Sequence, residues 1–117
     1  MDCGYLCLLY LFKLNGYHSD GLLDDYLKYK TDKGLSIYDL CQLAQMHGYP
    51  LQAYRSFKMM HRIPYIMYLR GFKTGHYIVV ERVNRFIVDA YDPYLGKCRC
   101  FKWLLYLKFS FIVLIML

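Results

Sequence analysis

The sequence of 117 residues lacks several features that define common classes of protein. It begins without the charged segment and cleavable apolar stretch of a secretory signal peptide. Fifteen Lys and Arg residues exceed nine Asp and Glu residues, for a net charge of +6, yet no run of five or more basic residues occurs. This scattered charge disfavours nucleic-acid binding and fits docking to an acidic membrane face or an acidic partner.

The cysteine content excludes a complete disulfide framework. Five cysteines are an odd number, so at least one has no partner within a single chain. A reduced, cytosolic setting is the simplest interpretation. The paired ligand spacing of a metal site is absent from the candidate ligands Cys41, Cys98, Cys100 and His47. The sequence therefore predicts neither a metal nor another cofactor.

Long hydrophobic runs and repeats are also missing. Residues 109–117 are nearly all apolar, but a helix needs about twenty such residues to cross a bilayer. We therefore expect this run to form a buried final strand rather than a truncated membrane helix. Because no repeat, linker or low-complexity tract is visible, residues 1–117 are expected to form one domain, either complete or truncated at its N-terminus.

The first half of the chain predicts three helices. Asp2 can cap the first helix, Asn15-Gly16 ends it, and Gly4, Cys7, Leu8 and Leu11 have helical spacing. A short second helix is predicted around residues 22–27. Ser36 can cap a third helix, which ends at Gly48.

The second half of the chain predicts a sheet. Short β-rich runs separated by Gly, Pro or Asn occupy residues 51–55, 63–69, 76–83, 85–91, 98–101 and 108–114. Helices followed by strands indicate an α+β fold, in which N-terminal helices pack against a C-terminal, largely antiparallel sheet.

Three side chains suggest nucleophilic catalysis by a thiol. Cys3 precedes the first predicted helix, where the helix dipole favours a thiolate. His76 begins one predicted strand and Asp92 follows the next, so a carboxylate can orient a histidine that accepts the thiol proton. The chain order Cys, His, Asp is that of papain-like cysteine peptidases. These residues would lie in the cleft between the helices and the sheet.

The spacing of the last two residues predicts their contact. Residues 75–83 and 85–91 read as a hairpin with a tight turn near Asn84, the midpoint of 76 and 92. This register sets His76 opposite Asp92, or nearly so, on the same face, with Cβ atoms about 4.5–5.5 Å apart. Asp89 would point to the other face, roughly 10 Å further along at about 3.3 Å per residue. A one-residue change in the turn would alter this pairing.

Four motifs follow one another along the chain: Asp2-Cys3-Gly4 before a helix, Gly34-Leu35-Ser36 before Leu40 and Ala44, Gly75-His76-Tyr77-Ile78-Val79-Val80, and Asp92-Pro93 with Gly96. Together they resemble the bacteriocin-processing cysteine peptidases, which form N-terminal domains of bacterial ABC exporters. The resemblance implies a papain-like fold that cuts leader peptides after a double glycine, on the cytosolic side of the membrane and beside the exporter's membrane domains. It assigns the nucleophile to Cys3, the general base to His76 and the orienting carboxylate to Asp92.

Three functions remain open from the sequence. Members of this family carry a glutamine a few residues before the cysteine, which helps to form the oxyanion hole, and the sequence begins two residues before Cys3. The exporter's membrane and ATPase domains are also outside it. The retained Cys3, His76 and Asp92 favour a peptidase, whereas the missing glutamine favours a module that binds leaders without efficient cleavage. A different papain-like thiol enzyme, such as an amidase or transferase, is the third possibility.

Each candidate also has a purely structural interpretation. A lone Cys3 is more often a core residue, His76 alone could be an ordinary strand residue, and Asp92-Pro93 could simply begin a turn. Their combination favours function. Four tyrosines are predicted to be packing residues: Tyr5, Tyr10, Tyr65 and Tyr68.

Overall fold

The computed structural model describes residues 2–30, 32, 34–55, 63–69, 75–102 and 111–116. Three helices come first: α1 (Cys3–Leu14), α2 (Leu22–Tyr29) and α3 (Ile37–Met46). Six strands follow: β1 (Leu51–Arg55), β2 (Tyr65–Leu69), β3 (His76–Val83), β4 (Ile87–Asp92), β5 (Gly96–Phe101) and β6 (Phe111–Met116). The predicted order of helices and strands is confirmed. Residues 108–110 of the predicted final strand lie outside the described residues.

Side-chain caps determine where α1 and α3 begin. The Asp2 carboxylate accepts a hydrogen bond from the Tyr5 N–H (3.1 Å), so α1 begins at Cys3, as predicted. The Ser36 hydroxyl accepts from the Asp39 N–H (3.1 Å), and the Asp39 carboxylate accepts from the Ser36 N–H (3.2 Å). This reciprocal capping box satisfies N–H groups that lack partners within the helix.

The six strands form one antiparallel sheet in the order β1-β6-β2-β3-β4-β5. The C-terminal strand β6 therefore lies inside the sheet, between β1 and β2, which confirms that this apolar run forms a strand. Among the residues that the structure describes, no helix is both long enough and apolar enough to cross a membrane.

The main hydrophobic core lies between the helices and one face of the sheet. The side chains that fill it from α1 are fully buried: Cys7, Leu8, Leu11 and Phe12. A Cβ atom at Gly4 would lie 3.3 Å from side-chain atoms of both Leu40 and Tyr77, closer than most such contacts. Glycine at this position lets the first turn of α1 approach β3, and this approach brings Cys3 to the beginning of that strand.

The tight turn between β3 and β4 lies near Asn84, as predicted, but it is not centred on that residue. Its two central residues are Arg85 and Phe86, and the Asn84 N–H donates to the Ile87 carbonyl (3.0 Å). The Asn84 side chain accepts hydrogen bonds from the N–H groups of Phe86 (3.0 Å) and Ile87 (2.7 Å). Asn84 therefore flanks the turn instead of occupying its centre, because its side chain holds the turn from one side.

An irregularity in β3 changes the register once more. Near the turn Arg82 pairs with Asp89, whereas further along the hairpin Val80 pairs with Ala90. Glu81 is therefore an extra residue in β3, and it forms a β-bulge.

The bulge determines that His76 and Asp92 share a face of the sheet. Tyr91 pairs with Val79, so Asp92 lies beside Ile78, two residues from His76. Residues two apart in a strand point to the same face, so the predicted shared face is confirmed. The two residues are diagonal neighbours and not directly opposed, which agrees with the prediction that they lie opposite each other or nearly so. Without the bulge, the alternation of side chains would put Asp92 on the face opposite to His76.

Candidate active site

Cys3 is the first residue of α1, and its half-buried thiol faces the beginning of β3. The sulfur accepts a hydrogen bond from the Tyr77 backbone N–H and is hydrogen-bonded to the His76 side chain. Partial positive charge at the helix N-terminus stabilises a thiolate at this position. The thiol therefore has both a nearby base and an environment that favours its ionised form.

His76 is held by Asp92 at the entrance to β3. His76 Nε2 and Asp92 Oδ2 are 2.8 Å apart, and both residues are buried. Because the carboxylate engages Nε2, Nδ1 is the ring nitrogen that remains for the thiol of Cys3. Asp92 Oδ1 accepts hydrogen bonds from the N–H groups of Tyr94 (2.8 Å) and Leu95 (3.3 Å). One carboxylate thus orients the imidazole and fixes the turn that follows β4.

Asp89, the other nearby carboxylate, has a different partner. Its Oδ1 accepts a hydrogen bond from Arg99 Nε at 2.6 Å, and its Oδ2 lies 3.4 Å from Arg99 Nη2. This pair lies across β4 and β5, where Asp89 and Arg99 are directly opposed. The prediction that Asp89 points away from His76 is confirmed.

The pKa shifts of the three groups favour transfer of the thiol proton to the imidazole. Burial raises the pKa of Cys3, but the hydrogen bonds from His76 and Tyr77 and the charge of His76 outweigh it, so the net pKa is lowered. The hydrogen bond with Cys3 raises the pKa of His76, burial opposes this, and Asp92 adds to the rise. Burial raises the pKa of Asp92, but hydrogen bonds from Tyr94 and His76 lower it overall. A thiolate–imidazolium pair beside a carboxylate is therefore stabilised.

The other four cysteines lack this environment. Burial raises the pKa of each of their thiols: Cys7, Cys41, Cys98 and Cys100. Cys7 is fully buried one helical turn beyond Cys3, as its spacing predicts. Cys98 is the exposed thiol of the five, so it provides a control for accessibility without activation.

We expect iodoacetamide to modify Cys3 faster than Cys98 at neutral pH, because the pKa of Cys3 is lowered and that of Cys98 is raised, so a larger fraction of Cys3 is the reactive thiolate. Peptide mass spectrometry at several reaction times measures both rates in one sample. The rate at Cys3 should fall in His76→Ala, while the rate at Cys98 stays constant. Equal rates at Cys3 in the two proteins would show that His76 does not activate the thiol.

The three residues line a cleft of about 890 Å³ between the helices and the sheet. One wall is built from the N-termini of α1 and α3, including Leu35 and Ile37. The start of β3 and the turn after β4 form the other wall, with Tyr68 and Tyr94. The site therefore lies between the two layers, where the sequence places it.

Tyr68 and Gly75 shape the cleft beside His76. Gly75 has a φ of +76°, and a Cβ atom there would collide with the ring of Tyr68. Glycine is therefore required both by its backbone conformation and by the close approach of the ring. Tyr68, which the sequence predicts only as a packing residue, also forms part of the cleft wall.

Asp2 has a second role that its position as a helix cap does not reveal. Its Oδ2 accepts a hydrogen bond from the Leu35 N–H (3.1 Å), while the Tyr77 hydroxyl donates to the Leu35 carbonyl (3.0 Å). The loop before α3 is thus attached to both α1 and β3, on either side of Cys3. The Gly34-Leu35-Ser36 motif is the sequence signal for this contact, because Gly34 has a φ of +82°.

Tyr94 is the site residue that sequence reasoning did not single out. Its ring stacks on His76, with ring centroids 5.6 Å apart and planes inclined by 28°. Its side chain is nevertheless well exposed. Its place two residues after Asp92, in the turn before Gly96, is the available sequence signal.

The arrangement can support covalent catalysis. A thiol, an imidazole and a carboxylate are joined in series by hydrogen bonds, so the imidazole can accept the thiol proton and return it to a leaving group. Within the described ranges, no group of three or more His, Cys, Asp or Glu side chains is placed to hold a metal ion.

Comparisons with known proteins agree with this fold. A model of the Peptidase C39 family matches residues 1–117. A double glycine motif protease from an AMS/PCAT transporter, solved in complex with the leader peptide, has a TM-score of 0.83 and 18% identity, and the match covers 98% of this chain and 83% of that chain. The peptidase domain of Streptococcus ComA, a bi-functional ABC transporter involved in a quorum sensing pathway, has a TM-score of 0.79 and 17% identity, covering 98% and 90%.

A third similar structure is the N-terminal peptidase C39 like domain of the toxin secretion ATP-binding protein from Vibrio parahaemolyticus, with a TM-score of 0.81 and 16% identity, covering 99% of this chain and 96% of that chain. No curated protein sequence matches the chain. Because the identities are low, these structures show the fold alone, and they confirm the predicted papain-like fold class. The match to the family model confirms the predicted family resemblance.

Proposed function

Since the chain belongs to the peptidase C39 family of cysteine peptidases, we propose that it cleaves leader peptides after a double glycine. The observation that carries this proposal is the series Cys3, His76 and Asp92 at a cleft between the layers. In the proposed mechanism Cys3 is the nucleophile, His76 the general base and acid, and Asp92 the residue that orients His76.

The first half of the reaction forms a thioester. The Cys3 thiolate attacks the carbonyl carbon of the second glycine, and the C=O π electrons move to the oxygen. The resulting oxyanion lies near the N-terminus of α1, where the Cys3 backbone N–H and the helix dipole stabilise negative charge. The protonated His76 donates its proton to the departing amine, the C–N bond breaks, and the leader remains attached to Cys3 through its C-terminal glycine.

The second half releases the leader. His76, now neutral, removes a proton from a water molecule that attacks the thioester carbon. Collapse of the second tetrahedral intermediate expels the Cys3 thiolate and gives a leader with a free carboxylate. Asp92 keeps Nε2 protonated throughout, so Nδ1 alternates between base and acid.

The walls of the cleft support selection for glycine. The ring of Tyr68 packs against Gly75, and the ring of Tyr94 stacks on His76, so aromatic rings occupy space near the catalytic residues. A residue without a side chain brings its carbonyl carbon to Cys3 with the least displacement of these rings. The similar double glycine motif protease, solved with its leader peptide, is consistent with such a substrate.

The related structures support the proposed setting. These come from peptidase domains of ABC transporters and of a toxin secretion protein. We infer that residues 1–117 act as one peptidase domain at the cytosolic face of a bacterial membrane, where they process bacteriocin-like or signalling peptides for an ABC exporter. The peptide is the expected substrate, with no nucleic acid, metal or cofactor in the reaction.

The test is cleavage of synthetic peptides that carry a leader ending in Gly-Gly, followed by about ten further residues. Mass spectrometry should show one cut, directly after the second glycine. Replacing that glycine in the peptide by valine should slow the cut by about tenfold or more, because the added side chain must displace the packed rings.

The matched control is a peptide with valine at the second position after the cut, which should be processed at the original rate. If leader peptides bind without being cut, the protein is a leader-binding module and not a peptidase. Cuts that ignore the Gly-Gly position would instead indicate another kind of papain-like thiol hydrolase.

A further inference from the structure

Tyr94 covers the histidine side of the cleft while its backbone is held in place. The Asp92 carboxylate accepts a hydrogen bond from the Tyr94 N–H (2.8 Å), which fixes the main chain of the turn. The ring stacks on His76 at 5.6 Å, and 62% of the residue is exposed to solvent. The side chain therefore has room to rotate from an anchored backbone.

The hydroxyl of Tyr94 points to the nucleophile. It interacts with the Cys3 thiol and also with the Cys3 backbone N–H. In thiol acyl transfer, the carbonyl oxygen of the substrate must lie beside the sulfur and accept a hydrogen bond from that same N–H. The phenol oxygen thus lies within reach of the same N–H that the carbonyl oxygen of the substrate would use.

We propose that Tyr94 is a further catalytic residue, whose hydroxyl moves aside when substrate enters and donates a hydrogen bond to the oxyanion. This proposal rests on the acyl-transfer part of the proposed function, and it does not depend on the double-glycine specificity. A side-chain donor placed beside a backbone N–H completes an oxyanion hole with two donors.

The step balances without any further reactant. A C–S bond forms between Cys3 and the carbonyl carbon, and the C=O π electrons become a lone pair on the oxygen. The Cys3 N–H and the Tyr94 O–H both point to this oxygen, and both keep their protons. Burial, together with the nearby Cys3, raises the pKa of Tyr94 above its usual value near 10, so the phenol remains a neutral donor at neutral pH.

Tyr94→Phe removes the hydroxyl and keeps the aromatic ring. Two reactions of Cys3 then measure the effect of the hydroxyl. Acetylation by p-nitrophenyl acetate passes through a tetrahedral oxyanion and releases p-nitrophenolate. Alkylation by iodoacetamide displaces iodide directly and forms no oxyanion. We expect Tyr94→Phe to slow acetylation of Cys3 by about tenfold to a hundredfold. This is at or below the loss of about 10²–10³ that follows removal of one oxyanion donor in a serine protease. The pH-independent alkylation rate should stay unchanged.

Peptide mapping of acetyl-Cys3 measures the first reaction, with the Cys3→Ala protein as the background. Tyr38→Phe is the matched control, because Tyr38 is exposed and does not line the cleft. Both reactions should proceed in this control as in the original protein.

Several results would overturn the role of Tyr94. Equal slowing of both reactions would mean that the hydroxyl acts on the thiol and not on the oxyanion. Faster acetylation would mean that the hydroxyl only blocks the site, and unchanged acetylation would remove it from the reaction. A wild-type Cys3 that is alkylated but never acetylated would also exclude the proposal. Normal acetylation without cleavage of leader peptides would instead contradict the double-glycine function and leave Tyr94 in place.

Discussion

Cys3→Ala is expected to abolish peptide cleavage, lowering kcat by about 10⁴-fold or more. Alanine removes only the sulfur atom, so the Asp2 cap of α1 and the walls of the cleft remain. Because the nucleophile acts in the chemical step, the Kd for a double-glycine leader peptide should change by less than about threefold. Mass spectrometry of the products measures cleavage, and fluorescence anisotropy of a labelled leader measures binding.

Cys98→Ala provides the control for this experiment. Cys98 is an exposed thiol on the edge strand β5, and it is absent from the cleft that contains Cys3. Its replacement should leave both cleavage and binding unchanged. Cleavage that survives in Cys3→Ala and disappears in Cys98→Ala would show that the nucleophile is Cys98 and not Cys3. Loss of leader binding in Cys3→Ala would mean that the thiol also shapes the binding site.

The helices could be predicted closely because their signals are local. Asp2 and Ser36 each cap a helix within a few residues of sequence, and the structure shows both caps. Asn15 follows the last residue of α1, as the sequence indicates. Such contacts depend on the neighbouring backbone alone, so the sequence specifies them without knowledge of the rest of the fold.

The register of the β3–β4 hairpin could be predicted only in part. The sequence indicates a turn near Asn84, but the choice of its central residues depends on which N–H groups the Asn84 side chain binds. Glu81 then adds a bulge, and its carboxylate accepts a hydrogen bond from the hydroxyl of Tyr10 on α1 (2.7 Å). Tyr10 also stacks on Tyr91 of β4, with ring centroids 3.8 Å apart. These contacts between layers are not visible in a strand pattern, yet they accompany the register that sets His76 beside Asp92.

The residues of the candidate site also differ in how far the sequence predicts them. Cys3, His76 and Asp92 stand out in the sequence because their chemistry is rare in such positions, and the structure brings them together. Tyr94 does not stand out among fourteen tyrosines, since its place two residues after Asp92 is a weak signal by itself. The Gly34-Leu35-Ser36 motif marks its loop, but it does not reveal that Leu35 contacts Asp2, because the two residues are far apart in the chain. Contacts of these two kinds emerge only from the fold.

Asp92→Asn is expected to lower kcat by about 10²–10⁴-fold. Both oxygens of the Asp92 carboxylate are used: Oδ2 bonds His76, and Oδ1 accepts from the N–H groups of Tyr94 and Leu95. Asparagine offers one acceptor oxygen and one NH₂ donor, so it can serve either the imidazole or the turn, but not both. If the NH₂ group faces Nε2, it selects the tautomer protonated at Nδ1, which cannot accept the proton of Cys3.

The same variant should also change the dependence of cleavage on pH. The hydrogen bond with Cys3 raises the pKa of His76, and Asp92 raises it further, so loss of the carboxylate lowers that pKa. The imidazolium then loses its proton at a lower pH, and the alkaline limb of kcat/KM should move towards neutral pH.

Asp89→Asn is the matched control, because Asp89 binds Arg99 and not His76. Its activity and its pH profile should stay as in the original protein, because Asp89 does not line the cleft. Equal losses in the two variants would show that the effect of Asp92 is general to acidic residues of β4 and not specific to the imidazole.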